Sequence, residues 1–159
     1  MFRLALAITL ILSMPAMAQQ AQVAFGGLKQ DTSLPVEIEA DNLVVNNADG
    51  SAEFTGNVLV GQGDMRLTAG AIRVEYGTDG KSINRLIASG GVTLANASEA
   101  AEAREAIYTI ATGEVIMSGD VLLTQGQTAL SGQKLIIDLK AGTGRMEGRV
   151  QTTFIPGQP

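Results

Sequence analysis

Four times along the chain a glycine is followed by one variable residue and then a valine. The phrase reads Phe54-Thr55-Gly56-Asn57-Val58, Ala88-Ser89-Gly90-Gly91-Val92, Met117-Ser118-Gly119-Asp120-Val121 and Met146-Glu147-Gly148-Arg149-Val150. Val58 to Val92 is 34 residues, and Val92 to Val121 and Val121 to Val150 are 29 each. Self-similarity at a period in this range marks a repeat architecture, in which no single unit buries its own apolar face. We expect each phrase to open a strand.

Between the phrases the chain alternates with a period of two. Val36, Ile38 and Ala40 fall on one side and Glu37, Glu39 and Asp41 on the other, as in a strand with one dry and one wet face. The phase then slips, and Leu43 and Val45 carry the apolar side onward; a slip of this kind marks a bulge or corner. Asn47-Ala48-Asp49-Gly50 reads as a turn. The next copy runs Phe54, Val58, Val60, Met65, Leu67, Ala69, then a slip, then Ile72, Val74 and Tyr76. Leu94, Ala106, Tyr108 and Ile110 belong to the third copy, and Val121, Leu123, Leu130, Leu135, Ile137 and Leu139 to the fourth.

The register supports this division. Leu43, Ala106 and Leu135 each lie 13 residues before the next phrase glycine. Ile72 lies 18 before Gly90, the extra residues falling at a hairpin tip around Thr78–Ser82, where a stacked array tolerates them. One stretch competes: Glu99 to Ala106 is helical by propensity, and we expect a loop or short helical turn over 96–102 before a strand. The pattern predicts an all-β chain, a twisted, elongated antiparallel sandwich of jelly-roll or solenoid kind with a continuous dry interior.

Composition narrows the chemistry. The 159 residues suffice for one domain, and with aromatics at 4% and no Trp the interior must be aliphatic. His and Cys are both absent, which removes disulfides, the usual zinc ligands, the histidine base and the thiol nucleophile. Arg3, the apolar run Leu4 to Met14, and Ala16-Met17-Ala18 read as a signal peptide over 1–18, with Gln19 as the mature start. The run is too short to span a bilayer. Residues 19–33 lack a sustained period and read as a flexible leader; the folded domain is expected over 34–157. The formal charge of −5 becomes −6 without Arg3, which disfavours nucleic acid as a partner.

Local motifs carry little. Ser131-Gly132-Gln133-Lys134 matches Ser-x-x-Lys but lacks the companion Ser-Asp-Asn and Lys-Thr-Gly elements. Gly77-Thr78-Asp79-Gly80-Lys81-Ser82 has two residues between its glycines where a phosphate loop needs four. Asn47 to Ser51 lacks the closing Glu of a calcium loop. Glu37 and Glu39 sit on the expected wet face. No catalytic residue, metal site or cofactor is expected. The functional signal is architectural: the first strand, Val36 to Ala40, and the last, Val150 to Ile155, both look unsealed, and open edges invite strand addition by another chain.

Taken together, Pro35-Val36-Glu37-Ile38-Glu39-Ala40-Asp41, the phrases at 54–58 and 117–121, and the ending Arg149-Val150-Gln151-Thr152-Thr153-Phe154-Ile155-Pro156 resemble the LptA/OstA family of periplasmic lipopolysaccharide-transport proteins. The resemblance covers about residues 33–157 and implies a twisted β-jelly roll, open at both ends. It implies a periplasmic protein with lipopolysaccharide in the groove between sheets. The implied partners are other copies, head to tail, and related domains of inner-membrane and outer-membrane components. Val36 and Ile38 match groove-lining positions, and Leu94 another. Adding the inward positions of the alternation, the expected groove is Val36, Ile38, Leu43, Val45, Phe54, Val58, Leu67, Ile72, Val74, Leu94, Tyr108, Val121, Leu123, Leu135 and Ile137. Val36, Ile38, Val150, Thr152 and Phe154 are the expected edge contacts. An aliphatic cleft suits acyl chains, and an acidic chain suits leaving the sugar–phosphate part in solvent. The competing readings are a scaffold domain with a collapsed interior that pairs with other jelly rolls, and an exported hydrolase, which would need inward carboxylates.

Overall fold

The computed structural model describes residues 21–24 and 26–156; the expected signal peptide and mature start lie outside them. Among the described residues thirteen strands form one continuous antiparallel sheet. They are β1 (Ala21–Ala24), β2 (Glu37–Glu39), β3 (Asn42–Asn46), β4 (Ser51–Gln62), β5 (Met65–Tyr76), β6 (Ile83–Ser89) and β7 (Val92–Ala95). Then come β8 (Glu99–Ala103), β9 (Glu105–Thr109), β10 (Glu114–Gln125), β11 (Thr128–Asp138), β12 (Thr143–Glu147) and β13 (Gln151–Thr153). A 3-10 turn spans Gly26–Leu28. Among the described residues no helix is long and apolar enough to cross a membrane.

The sheet folds into two layers along a line of corners. The long strands β4 and β10 shift register between Thr55 and Val58 and between Ser118 and Val121. On one side of the line β4 pairs with β3, on the other with β2. β5 likewise pairs with β6 on one side and β7 on the other, and β10 with β9 and β8. The first layer therefore runs β2, the C-terminal half of β4, the N-terminal half of β5, β7, β8, then the halves of β10 and β11 beside their hairpin, then β13. The second runs β3, the other halves of β4 and β5, β6, β9, the other halves of β10 and β11, β12 and β1.

The glycine phrase makes the corners. Gly56, Gly119 and Gly148 have φ of 81°, 87° and 82°, and the next residues Asn57, Asp120 and Arg149 have 47°, 46° and 49°. Two successive left-handed residues turn a strand from one layer to the other, and only glycine adopts the first without a Cβ penalty. The phrase thus sits in the middle of β4 and β10 and between β12 and β13 rather than at a strand start. At Gly90-Gly91-Val92, with φ of 78° and 81° at its glycines, it opens a strand, β7, as the sequence suggested. Corners stack on neighbouring strands: Asp41 N–H donates to Gly56 O at 2.9 Å, and Gln133 N–H to Gly148 O at 3.1 Å. The phase slips after Ala40 and Ala69 fall on the same line.

Two other expectations give way. Glu99–Ala103 is strand β8, with a turn before it and no helix. Pairing on both sides, to β7 and β10, overrides helical propensity, and small Ala101 fits a fully buried position. The segment read as a flexible leader carries β1, paired to β12, and the 3-10 turn, whose Leu28 is buried.

A candidate apolar cleft between two layers

Directly paired residues of antiparallel strands point to the same side, so register gives the inner rows. In the first layer one row is Ile38, Val60, Leu67, Leu94, Ala101, Leu123, Leu130 and Thr152. In the second, the row nearer the corners is Leu43, Phe54, Ile72, Ala88, Ala106, Met117, Leu135 and Met146. A second row there is Val45, Ala52, Val74, Leu86, Tyr108, Val115, Ile137 and Gly144. Rows from both layers merge into one apolar cluster running the length of the molecule.

The structure brings most of the expected groove residues together in that cluster. Val58, Leu67, Ile72, Val74, Leu94, Tyr108, Val121, Leu123, Leu135 and Ile137 are each at most 1% exposed. Val36, Ile38 and Phe54 pack against them half-buried. The interior is filled by its own side chains, so a guest must part the layers rather than drop into a void.

Leu43 and Val45 are on inward register positions yet 53% and 60% exposed. They sit in the terminal strand of the second layer, facing only the three-residue β2 across the cleft. The cleft is therefore uncovered at this end. At the opposite end Val150 packs on the core, Thr152 is inward but exposed, and Phe154 lies beyond β13, 65% exposed. The last strand is shorter than the sequence suggested, Gln151–Thr153. Val36 and Ile38 thus lie at one end of the sheet and Val150, Thr152 and Phe154 at the other, where β12 is also covered by β1.

The sequence reasoning missed the polar side chains at the mouth, where the hairpin tips lie opposite the corners. Gln62 continues the inward series Val58, Val60 and is 1% exposed. Its Nε2 donates to Thr32 O at 3.1 Å and Leu34 O at 2.9 Å, and its Oε1 accepts from the Tyr108 hydroxyl at 2.7 Å. Burial pushes the Tyr108 hydroxyl up to about 12, the Gln62 bond opposing the rise. Glu99 is also inward by register, two residues before Ala101; its Oε1 accepts from Gln125 Nε2 at 2.9 Å, while Oε2 is buried with no partner. A polar residue breaking an apolar period-two series was the available signal for Gln62. Ser51 is the other buried polar residue among those described.

The chain matches known proteins over most of this region. The family described as LptA/(LptD N-terminal domain) LPS transport protein matches residues 37–143. An uncharacterised protein of Rhizobium meliloti (strain 1021) is 29% identical over 157 residues, covering 92% of this chain and 84% of that one. The crystal structure of LptH, the LptA homologous periplasmic component of the lipopolysaccharide transport device of Pseudomonas aeruginosa, superposes with a TM-score of 0.70. It is 16% identical and covers 80% of this chain and 99% of that one, a likeness of fold.

Proposed function

We propose, because this chain belongs to the LptA/(LptD N-terminal domain) LPS transport protein family, that it carries lipopolysaccharide across the periplasm with the acyl chains held between its two layers. The carrying observation is the apolar cluster that runs from end to end and is left uncovered at Leu43 and Val45. Acyl chains gain about 0.8 kcal/mol per buried methylene, which an aliphatic interior supplies and a polar one does not. The acidic net charge supports leaving the phosphate-bearing part outside. The work is binding and hand-over, without covalent chemistry.

In this reading the chain is exported by cleavage before Gln19 and assembles end to end. Its partners are further copies and related jelly-roll domains of inner-membrane and outer-membrane components. The exposed strands β2 and β3 at one end, and β13 at the other, offer unpaired backbone groups for such additions. A photo-crosslinker at Val36 or Ile38 should capture lipopolysaccharide in cells, and one at Glu37, which faces outward, should not. Capture at Glu37 with none at Val36 or Ile38 would contradict the reading.

The filled interior favours a second reading, a scaffold that pairs with other jelly rolls and takes no guest. Purified protein incubated with rough-type lipopolysaccharide separates the two: a carrier forms a stable complex, a scaffold does not.

A further inference from the structure

The corners close one long side of the cleft covalently, since β4, β5, β10 and β11 pass through them. The other long side is closed by residues 26–34. Asn96 Nδ2 donates to Gly27 O, tying the segment to the β7–β8 tip of the first layer. Gln30 N–H donates to Leu139 O in the second layer at 2.8 Å, and Gln30 Nε2 to Gln62 O in the first at 2.6 Å. Gln62 then holds Thr32 and Leu34. The segment zigzags between the layers, joined mostly by single hydrogen bonds, and puts one side chain, Leu28, into the apolar cluster at 2% exposure.

The closed arrangement also carries a cost. Gly27 lies against Glu99: a Cβ there would come within 3.1 Å of Glu99 Oε1. Glu99 Oε2 is buried without a partner. An unpaired buried carboxylate oxygen disfavours the state that buries it, so lifting the segment lets water relieve it. An element anchored by few contacts, with a destabilising group beneath it, is suited to two positions.

We propose that residues 26–34 are a displaceable strap, and that acyl chains are admitted sideways through the mouth by lifting it, an acyl chain taking the place of Leu28. This rests on the carrier reading above. The chain has no cysteine, so a Gly27→Cys/Ser98→Cys pair can lock the strap alone. A Cβ at residue 27 falls 2.4 Å from Ser98 Oγ, close enough to bridge after a small shift.

Loading of rough-type lipopolysaccharide by the full mature chain should slow about ten-fold or more in the oxidised form and recover on reduction. Glu99→Gln, which keeps the Gln125 contact and removes the charge, should slow loading several-fold without a lock. Equal loading by oxidised and reduced protein, with an unchanged Glu99→Gln rate, would overturn the strap and leave the carrier reading standing. No loading by wild-type, reduced or locked protein would overturn both.

Discussion

The Tyr108 hydroxyl in the second layer donates to Gln62 Oε1 in the first at 2.7 Å, both residues being at most 1% exposed. Gln62 spends its remaining donors on the strap carbonyls of Thr32 and Leu34. One amide therefore ties three parts of the chain together at the mouth. Tyr108→Phe leaves Gln62 Oε1 buried and unpaired and should cost about 1–3 kcal/mol. Gln62→Leu should cost a similar amount, and the double variant clearly less than the sum. Urea denaturation of the four proteins measures the coupling.

The same hydroxyl gives a pH dependence. Its value near 12 lies above the ordinary value of 10, so the folded state holds the proton more tightly than the unfolded chain. The stabilisation is complete below pH 10 and is lost as pH rises from about 10 to 12. Melting temperatures measured across that window should fall more steeply for wild type than for Tyr108→Phe, the two curves converging at the alkaline end.

Legibility followed the physics of each segment. Period-two alternation depends only on which side of a sheet is dry, so inner residues such as Ile72, Leu94 and Leu135 could be read directly. The corners are half legible: the slips after Ala40 and Ala69 announce a bend, but the glycine phrase reads as a strand start, which it is only at Val92. A strand crossing from one layer to the other shows good alternation on both sides of the break, which looks like two strands. β8 was obscured because its alanines favour helix, and only pairing to β7 and β10 decides otherwise. The strap left almost no local signal. It is held by backbone carbonyls, the amides of Gln30, Gln62 and Asn96, and a single leucine, and none of these repeats.

The corner glycines test the reading of the phrase. Gly119 has φ of 87°, and an added Cβ would meet Arg104 Cβ at 3.0 Å. Gly119→Ala should lose roughly 1–2 kcal/mol from the left-handed backbone, and more if the Arg104 strand cannot shift. Gly61→Ala, in the same sheet without a left-handed φ and with only Arg66 atoms 3.5 Å away, should stay within about 0.5 kcal/mol. Thermal denaturation of the pair separates a corner requirement from a general intolerance of methyl groups.

At the uncovered end, Leu43 and Val45 face the cleft side but contribute little to the fold, at 53% and 60% exposure. Replacing both by Glu should change stability by less than about 1 kcal/mol, because little apolar area leaves the core. Charges at this position would, however, repel an incoming apolar edge and burden any joint with an unpaired charge. Phe154, 65% exposed at the opposite end, is the matching probe. Leu43→Glu/Val45→Glu and Phe154→Glu should each leave the monomer folded and shift concentrated samples toward monomer in light scattering. A mixture of the two single-end variants retains one intact pair of ends, and should stop at dimers where wild type grows longer. A wild type that stays monomeric at high concentration would overturn the proposed joining of copies end to end.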